Sequence, residues 1–241
     1  MKHSLFIADL HLCESRPHIN ALFKTFLGGP ARSGEALYIL GDLFEYWPGD
    51  DAATLPFYAE IAQSLAQLAA SGVALYLMHG NRDFLIGRQL ADLLAASLLP
   101  DPYSLALHGT PTLLMHGDTL CTDDVAYLEF RAKVRDAQWQ ANFLEAPLAQ
   151  RIATAETLRR QSIEHKQAKP AEIMDVNPAA VSAVFRSCAC TRLIHGHTHR
   201  PAHHQLDVDG QPRERWVLND WYEKGGYLDC DADGCRQVWL T

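Results

Sequence analysis

The chain has 241 residues, 48% hydrophobic and 21% charged, with a formal net charge of −8. That length can bury a substantial core, and the acidic balance argues against a general nucleic-acid coat. No stretch approaches roughly eighteen uninterrupted apolar residues, so no membrane-spanning helix is expected, and Lys2 before a run broken by Asp9 does not read as a signal peptide.

The first apolar run, 4–8, ends in Asp9 and His11. Short apolar runs of this kind suit buried parallel strands, and others occur at 36–40, 73–78, 112–115 and 191–194. Helical patterns at about 17–27 and 55–70 separate the first three, and strand–helix–strand alternation implies parallel βαβ units in an α/β fold. Residues 104–108 are expected to pair with 112–115 as a hairpin across Gly109-Thr110. The C-terminal part reads as antiparallel: 203–208, a turn at Asp209-Gly210, 214–219, then 226–230 and 236–240.

Residues 123–187 differ from the rest. They hold long helical patterns, no Gly, and Pro only at 147, 170 and 178, with Asn177-Pro178 reading as an N-cap and first helical residue. Between 131 and 169 eight basic residues stand against four acidic ones, beside the large apolar residues Trp139, Phe143, Leu144 and Leu148. One reading is a helical hairpin packed on the core with a solvated basic face. The other is a lid for an anionic, partly greasy substrate, or for a membrane surface. The six cysteines form no CxxC and no zinc-ribbon spacing, which fits a reducing cytoplasm. A Cys230–Cys235 bridge across the turn between them is open but not favoured.

Each proposed core strand runs directly into a polar cluster: Asp9 and His11; Gly41-Asp42; His79-Gly80-Asn81-Arg82-Asp83; His116-Gly117-Asp118; and His195-Gly196-His197-Thr198-His199. Glycine beside the polar residue lets the backbone turn sharply and approach a ligand. Five such clusters at the same edge of one sheet are not expected from a core that needs only packing, and ligands bind at strand ends in α/β proteins. The inventory is two Asp, one Asn and four His, a mix of oxygen and imidazole donors that suits Mn²⁺, Fe²⁺ or Zn²⁺. Seven ligands exceed one ion's need. A carboxylate shared between two ions accounts for them, and such a pair clamps both oxygens of a phosphoryl displacement.

Asp9-x-His11, Gly41-Asp42, Gly80-Asn81-x-Asp83, His116-Gly117-Asp118 and Gly196-His197-x-His199, in that order, resemble the calcineurin-like metallophosphoesterase superfamily. The resemblance implies an αββα four-layer sandwich, here one domain over 1–241 with a helical insertion acting as a lid at about 123–187. It also implies that Asp9, His11, Asp42 and His199 hold one metal and that Asp42 bridges to a second held with Asn81, His116 and His197. His79 and His195 are then structural. Further blocks, Gly41-Asp-Leu-Phe-Glu45, Trp47-Pro-Gly-Asp-Asp51, Met115 to Asp124, Ile173 to Asn177 and Ile194 to Pro201, resemble the lipid A branch of the superfamily. That branch acts on the acylated sugar nucleotide UDP-2,3-diacylglucosamine. Asn219-Asp220-Trp221 resembles its Gly-Asp-Trp with the Gly replaced.

The resemblance implies water attack on the α-phosphorus, giving UMP and 2,3-diacylglucosamine 1-phosphate, with two divalent ions, Mn²⁺ first, and with Asp42, Asn81, Arg82 and His116 in the catalytic set. Asn81, Arg82, Asp124, Ser162, Lys166, Lys169 and His197 would touch substrate; for Ser162, Lys166 and Lys169 the plainer reading is a solvated helix face. Many superfamily members carry His after the Asn, where Arg82 stands here. Arg cannot donate a proton near neutral pH, but it can clamp phosphate oxygens. That substitution suits a leaving group that is itself a phosphate, with a second pKa of about 6. The expected setting is a monomer, peripheral on the cytoplasmic face of an anionic inner membrane. The alternatives are a metal-dependent phosphodiesterase or phosphatase acting on a soluble nucleotide or phosphoprotein, and a non-catalytic scaffold, which would be expected to have lost ligands.

Overall fold

Four consecutive buried residues, Ser4–Ile7, form β1. The computed structural model describes residues 3–168 and 175–240, the side chains of 161–168 excepted. α1 (Pro17–Gly28) and α2 (Pro56–Ala70) each start on a proline whose fixed φ suits the first turn. They alternate with β2 (Ala36–Leu40) and β3 (Ala74–Met78), and a short α3 (Arg88–Leu93) leads to β4 (Ala96–Leu99). Strands β1 to β4 pair in parallel, the arrangement that strand–helix alternation demands.

The hairpin of β5 (Tyr103–Leu107) and β6 (Thr110–Leu114) then starts a second sheet. Four helices follow: α4 (Val125–Val134), α5 (Ala137–Leu144), α6 (Leu148–Ala168) and α7 (Pro178–Ser187). Asp124, Asp136 and Asn177 cap α4, α5 and α7 by accepting backbone N–H groups of the first turn. The chain ends with β7 (Arg192–His195), β8 (Ala202–Val208), β9 (Gln211–Val217), β10 (Gly226–Asp231) and β11 (Gly234–Trp239).

The strand order is β11-β10-β1-β2-β3-β4 in the first sheet and β5-β6-β7-β9-β8 in the second. Phe6, Tyr38, Leu40 and Met78 of the first sheet meet Leu107, Leu114 and Ile194 of the second in a buried layer between them. Ile19, Phe23, Ile61 and Leu65 of α1 and α2 cover the outer face of the first sheet. Val181 and Phe185 of α7 cover the second. The layers therefore run α, β, β, α. Each buried Leu, Ile or Phe contributes about 1.5–3 kcal/mol, and a one-residue slip would turn a whole strand's set outward.

Two expectations are corrected. The polar clusters do not share one sheet: β1, β2 and β3 belong to the first and β6 and β7 to the second. They still meet, because the two sheets stack with these strand ends together; His116 Nδ1 donates to Leu40 O at 2.9 Å across the gap. The cysteines are not all unpaired. Cys230 and Cys235 are register partners in β10–β11 with Cα atoms 4.1 Å apart, and they are bridged. Cys188 and Cys190 are bridged at the end of α7. Both pairs fall at Cα separations a disulfide reaches or nearly reaches. Among the described residues no helix is long and apolar enough to cross a membrane.

Candidate metal centre and adjoining cavity

Asp9, His11, Asp42, His197 and His199 have φ of 55°, 49°, 54°, 70° and 55°. Left-handed backbone at a non-Gly residue costs of order 1–3 kcal/mol and persists only where the surroundings enforce it. Here the enforcement is close packing at the strand ends. A Cβ on Gly80 would lie 2.1 Å from Asp42 Oδ1, and one on Gly196 would lie 2.3 Å from Asp9 Oδ2, so only glycine fits at either place. Buried Asp83 accepts the backbone N–H groups of Gly80, Asp42 and Leu43 at 2.8, 3.2 and 2.8 Å and fastens the β3 loop to the β2 loop.

The candidate ligands converge. His11 Nε2 lies 3.4 Å from His199 Nε2 and 3.7 Å from Asp42 Oδ2, and His199 Nε2 is 3.5 Å from Asp9 Oδ1. On the other side His116 Nε2 is 3.9 Å from Asp42 Oδ2, and Asn81 Oδ1 meets His116 Nε2 at 3.0 Å and His197 Nδ1 at 2.9 Å. Asp9, His11 and His199 form one group able to hold an ion, and Asp9, Asp42 and His116 another. Burial pushes the Asp42 carboxyl up to about 7, with Asp83 and Asp9 adding to the rise and His116 opposing it. Burial would lower His116, but Asp42, Asp118 and Asp9 outweigh it and bring it up to about 9. Burial holds His11 well below the ordinary histidine range, in the neutral form a metal ligand needs. Asp9 Oδ1 and His11 Nδ1 are buried without hydrogen-bond partners. Carboxylate, amide and imidazole donors with unmet bonding capacity fit divalent cations.

A cavity of about 540 Å³ opens from this centre. Asn81, Arg82 and His197 are among its polar lining residues, and Phe84, Trp139, Phe143 and Leu158 among its apolar ones. Trp139 and Phe143 stack at 5.2 Å, and Phe84 lies 6.3 Å from Trp139. Among the described residues, four arginines of the basic segment are engaged rather than simply solvated. Arg131 Nε donates to Asp118 at 2.7 Å, Arg135 to Gly80 O at 2.8 Å and Arg159 to Glu45 at 2.9 Å, while buried Arg151 donates to Pro48 O and Asp51. These contacts fasten α4 to α6 over the strand ends.

Residues 3–201 match the family of calcineurin-like phosphoesterases. The chain is 53% identical to the UDP-2,3-diacylglucosamine hydrolase of Aromatoleum aromaticum, over 96% of this chain and 94% of that protein. It is 50% identical to the protein of the same name from Pseudomonas aeruginosa, over 97% of each. The chain belongs to the calcineurin-like phosphoesterases. A solved archaeal phosphodiesterase shares the fold, with a TM-score of 0.51 at 12% identity over 99% of both chains.

In this phosphoesterase His79 donates to Ile86 O at 2.7 Å, and His195 donates to Gly196 O at 2.9 Å while pairing with Arg215 at 3.0 Å. Both have hydrogen-bond partners outside the donor set, and burial with Arg215 beside it brings His195 down to about 4. Asp124 lines the cavity and caps α4. The side chains of Ser162 and Lys166, and Lys169 altogether, lie outside the described residues. Sequence reasoning missed four groups. Tyr127 donates to Asp118, and Asp220 Oδ2 sits 3.3 Å from His199 Nδ1. Glu45 and Arg159 join beside the centre. Asp220 and Glu45 stood in blocks already singled out, which was the available signal. Arg159 and Tyr127 had none beyond their place in the helical segment.

Proposed function

We propose that this chain hydrolyses the pyrophosphate bond of UDP-2,3-diacylglucosamine by attack of water on the α-phosphorus, giving UMP and 2,3-diacylglucosamine 1-phosphate. The observation that carries the reading is one cavity lined both by candidate metal ligands and by a cluster of aromatic side chains. It suits a substrate that is anionic at its reacting centre and greasy beyond it, and relatives at about half identity bear that name. Asp9, His11, Asp42 and His199 would hold one divalent cation, and Asp42, Asn81, His116 and His197 a second. Mn²⁺ is the ion we assign, because it accepts hard oxygens together with imidazole. When bound, such ions supply Lewis acidity and lower the pKa of water.

The chain's own groups do the rest. Arg82 lines this cavity, and its Nε is buried without a partner, ready to donate to a phosphate oxygen. It need not act as an acid, since a departing sugar phosphate takes no proton near neutral pH. Asn81, His197 and Asp124 line the same cavity. Ser162, Lys166 and Lys169 would meet the substrate from the helical side. Within a single domain over 1–241, the segment 123–187 is a lid. Phe84, Trp139 and Phe143 enclose acyl chains. The remaining cations face an anionic inner-membrane surface from its cytoplasmic side, and the protein works as a monomer.

Turnover of UDP-2,3-diacylglucosamine in H₂¹⁸O with Mn²⁺ restored to stripped protein tests this. Label in UMP is expected. Label only in the sugar phosphate overturns attack at the α-phosphorus, and no turnover with any divalent ion overturns the whole reading.

A further inference from the structure

Glu45 is a carboxylate only 4% exposed, three residues beyond Asp42, and the reaction outlined above gives it no task. Its Oε2 accepts Arg16 Nη2 at 2.9 Å, and its Oε1 accepts Arg159 Nε at 2.9 Å. Arg16 precedes α1 and also donates to the carbonyl of His11; Arg159 belongs to α6. The backbone N–H of Glu45 donates to Leu12 O at 3.1 Å. One side chain thus ties the end of β2, the loop after β1 and the helix over the cavity.

The same Oε2 lies 3.9 Å from His11 Nδ1, a buried nitrogen with no hydrogen-bond partner. The other nitrogen, Nε2, is the one that faces Asp42 and His199. A histidine that offers Nε2 to a metal carries its proton on Nδ1, and that N–H is ordinarily held by a carboxylate, a carbonyl or water. At 3.9 Å the contact is too long for a hydrogen bond, and a carboxylate movement of about 1 Å would close it. Two guanidinium partners aim such a carboxylate. Tyr222 stacks on the His11 ring at 5.3 Å with an 18° tilt, and Arg16 lies over Tyr222, so the ring is held from its face as well.

We infer that Glu45 is a positioning residue with two attachments: through Nδ1 it orients His11 for the metal, and through Arg159 it seats α6 over the cavity. The inference rests on His11 being a metal ligand. It makes metal affinity and the seating of the helix depend on one carboxylate.

Glu45→Gln keeps the shape and removes the charge. Two measurements on the purified full chain do not depend on turnover: Mn²⁺ affinity by competition with a chelating dye, and amide exchange over 155–160 in metal-stripped protein. Glu45→Gln should bind Mn²⁺ about tenfold or more weakly, as loss of such a partner does elsewhere, and should exchange faster at 155–160. Arg159→Ala should speed exchange while Mn²⁺ affinity stays within about twofold, since Arg16 still holds Oε2. If Glu45→Gln fails to fold, Glu45→Asp serves: it keeps the charge but withdraws it by one methylene, and should show the same two losses in smaller measure. Wild-type Mn²⁺ affinity in the folded variant overturns the role of Glu45. Wild-type protein that binds no Mn²⁺ overturns the ligand assignment of His11 itself, so the two failures are distinguishable.

Discussion

Arg151 makes the attachment of α6 measurable. It is 4% exposed, donates from Nε to Ala146 O at 2.8 Å and from its two terminal nitrogens to Pro48 O and Asp51. Arg151→Met keeps a stem of similar length and removes all the donors. A hydrogen bond from a charged donor is worth about 1.5–3 kcal/mol, and a carbonyl left buried without a donor costs about as much. Asp51 is 54% exposed, so that ion pair adds at most about 1 kcal/mol. Allowing for non-additivity and for the apolar contact that Met regains, the net loss is about 3 kcal/mol, close to a hundredfold in an opening equilibrium. Native-state amide exchange should show 150–160 opening about a hundredfold more often while β1 to β3 keep their protection. If the helices unfold together with the core, the thermal midpoint should instead fall by about 6–12 °C. Wild-type exchange at α6 together with an unchanged midpoint would refute the claim that this guanidinium fastens the helices.

Three further outcomes are expected. Arg82→Lys should lower kcat/KM about a hundredfold, because an ammonium cannot reproduce the planar donor fork; steady-state kinetics at wild-type level would remove Arg82 from phosphate binding. Trp139→Ala should raise KM for the acylated substrate about tenfold and leave a deacylated analogue unaffected, since the lost contact is apolar area in the cavity wall; equal losses on both would place Trp139 elsewhere. Glu214 is lowered from its ordinary 4.5: burial opposes the shift, and Arg192 at 2.6 Å, with Trp216 and His203, outweighs it. A lowered folded value means stability present above the unfolded value and lost as pH falls through the folded one. The stability gap between wild type and Glu214→Gln, measured by urea titration, should therefore narrow below about pH 4.5; a gap that widens in acid would reverse the assignment.

The parts of the fold legible in the chain are those whose burial is continuous. Ala36–Leu40 is buried at every position, as a central parallel strand must be, and its limits fall where the apolar run does. Helices α1 and α2 are legible because each starts on a proline and repeats its apolar face over three turns or more. Arg88–Leu93 and Ala96–Leu99 are too short and too mixed in burial to stand out. Sheet membership was not legible at all. The hairpin β8–β9 joins the second sheet through β7 and the hairpin β10–β11 joins the first through β1, yet both read alike as alternating strands with a turn. For β10–β11 that choice is made by pairing with a strand more than two hundred positions away, as at Ser4 and Cys230, which no local pattern announces.

The candidate ligands were legible because few residue types can serve and each follows an apolar run directly. Their left-handed backbone was not, since non-glycine residues such as Asp9 and His199 rarely adopt it and no local propensity announces it there. The partners of the basic segment are not legible for a related reason. A count of charge gives Arg131, Arg135, Arg151 and Arg159 as one surface property, whereas each has its own acceptor, at sequence separations of 13, 55, 103 and 114. No local pattern encodes those pairs. They add to an apolar attachment, since Phe143 and Leu148 pack partly against the core. With guanidinium groups on carbonyls and carboxylates fastening the helices as well, Trp139 and Phe143 also line the cavity, where an acylated substrate can use them.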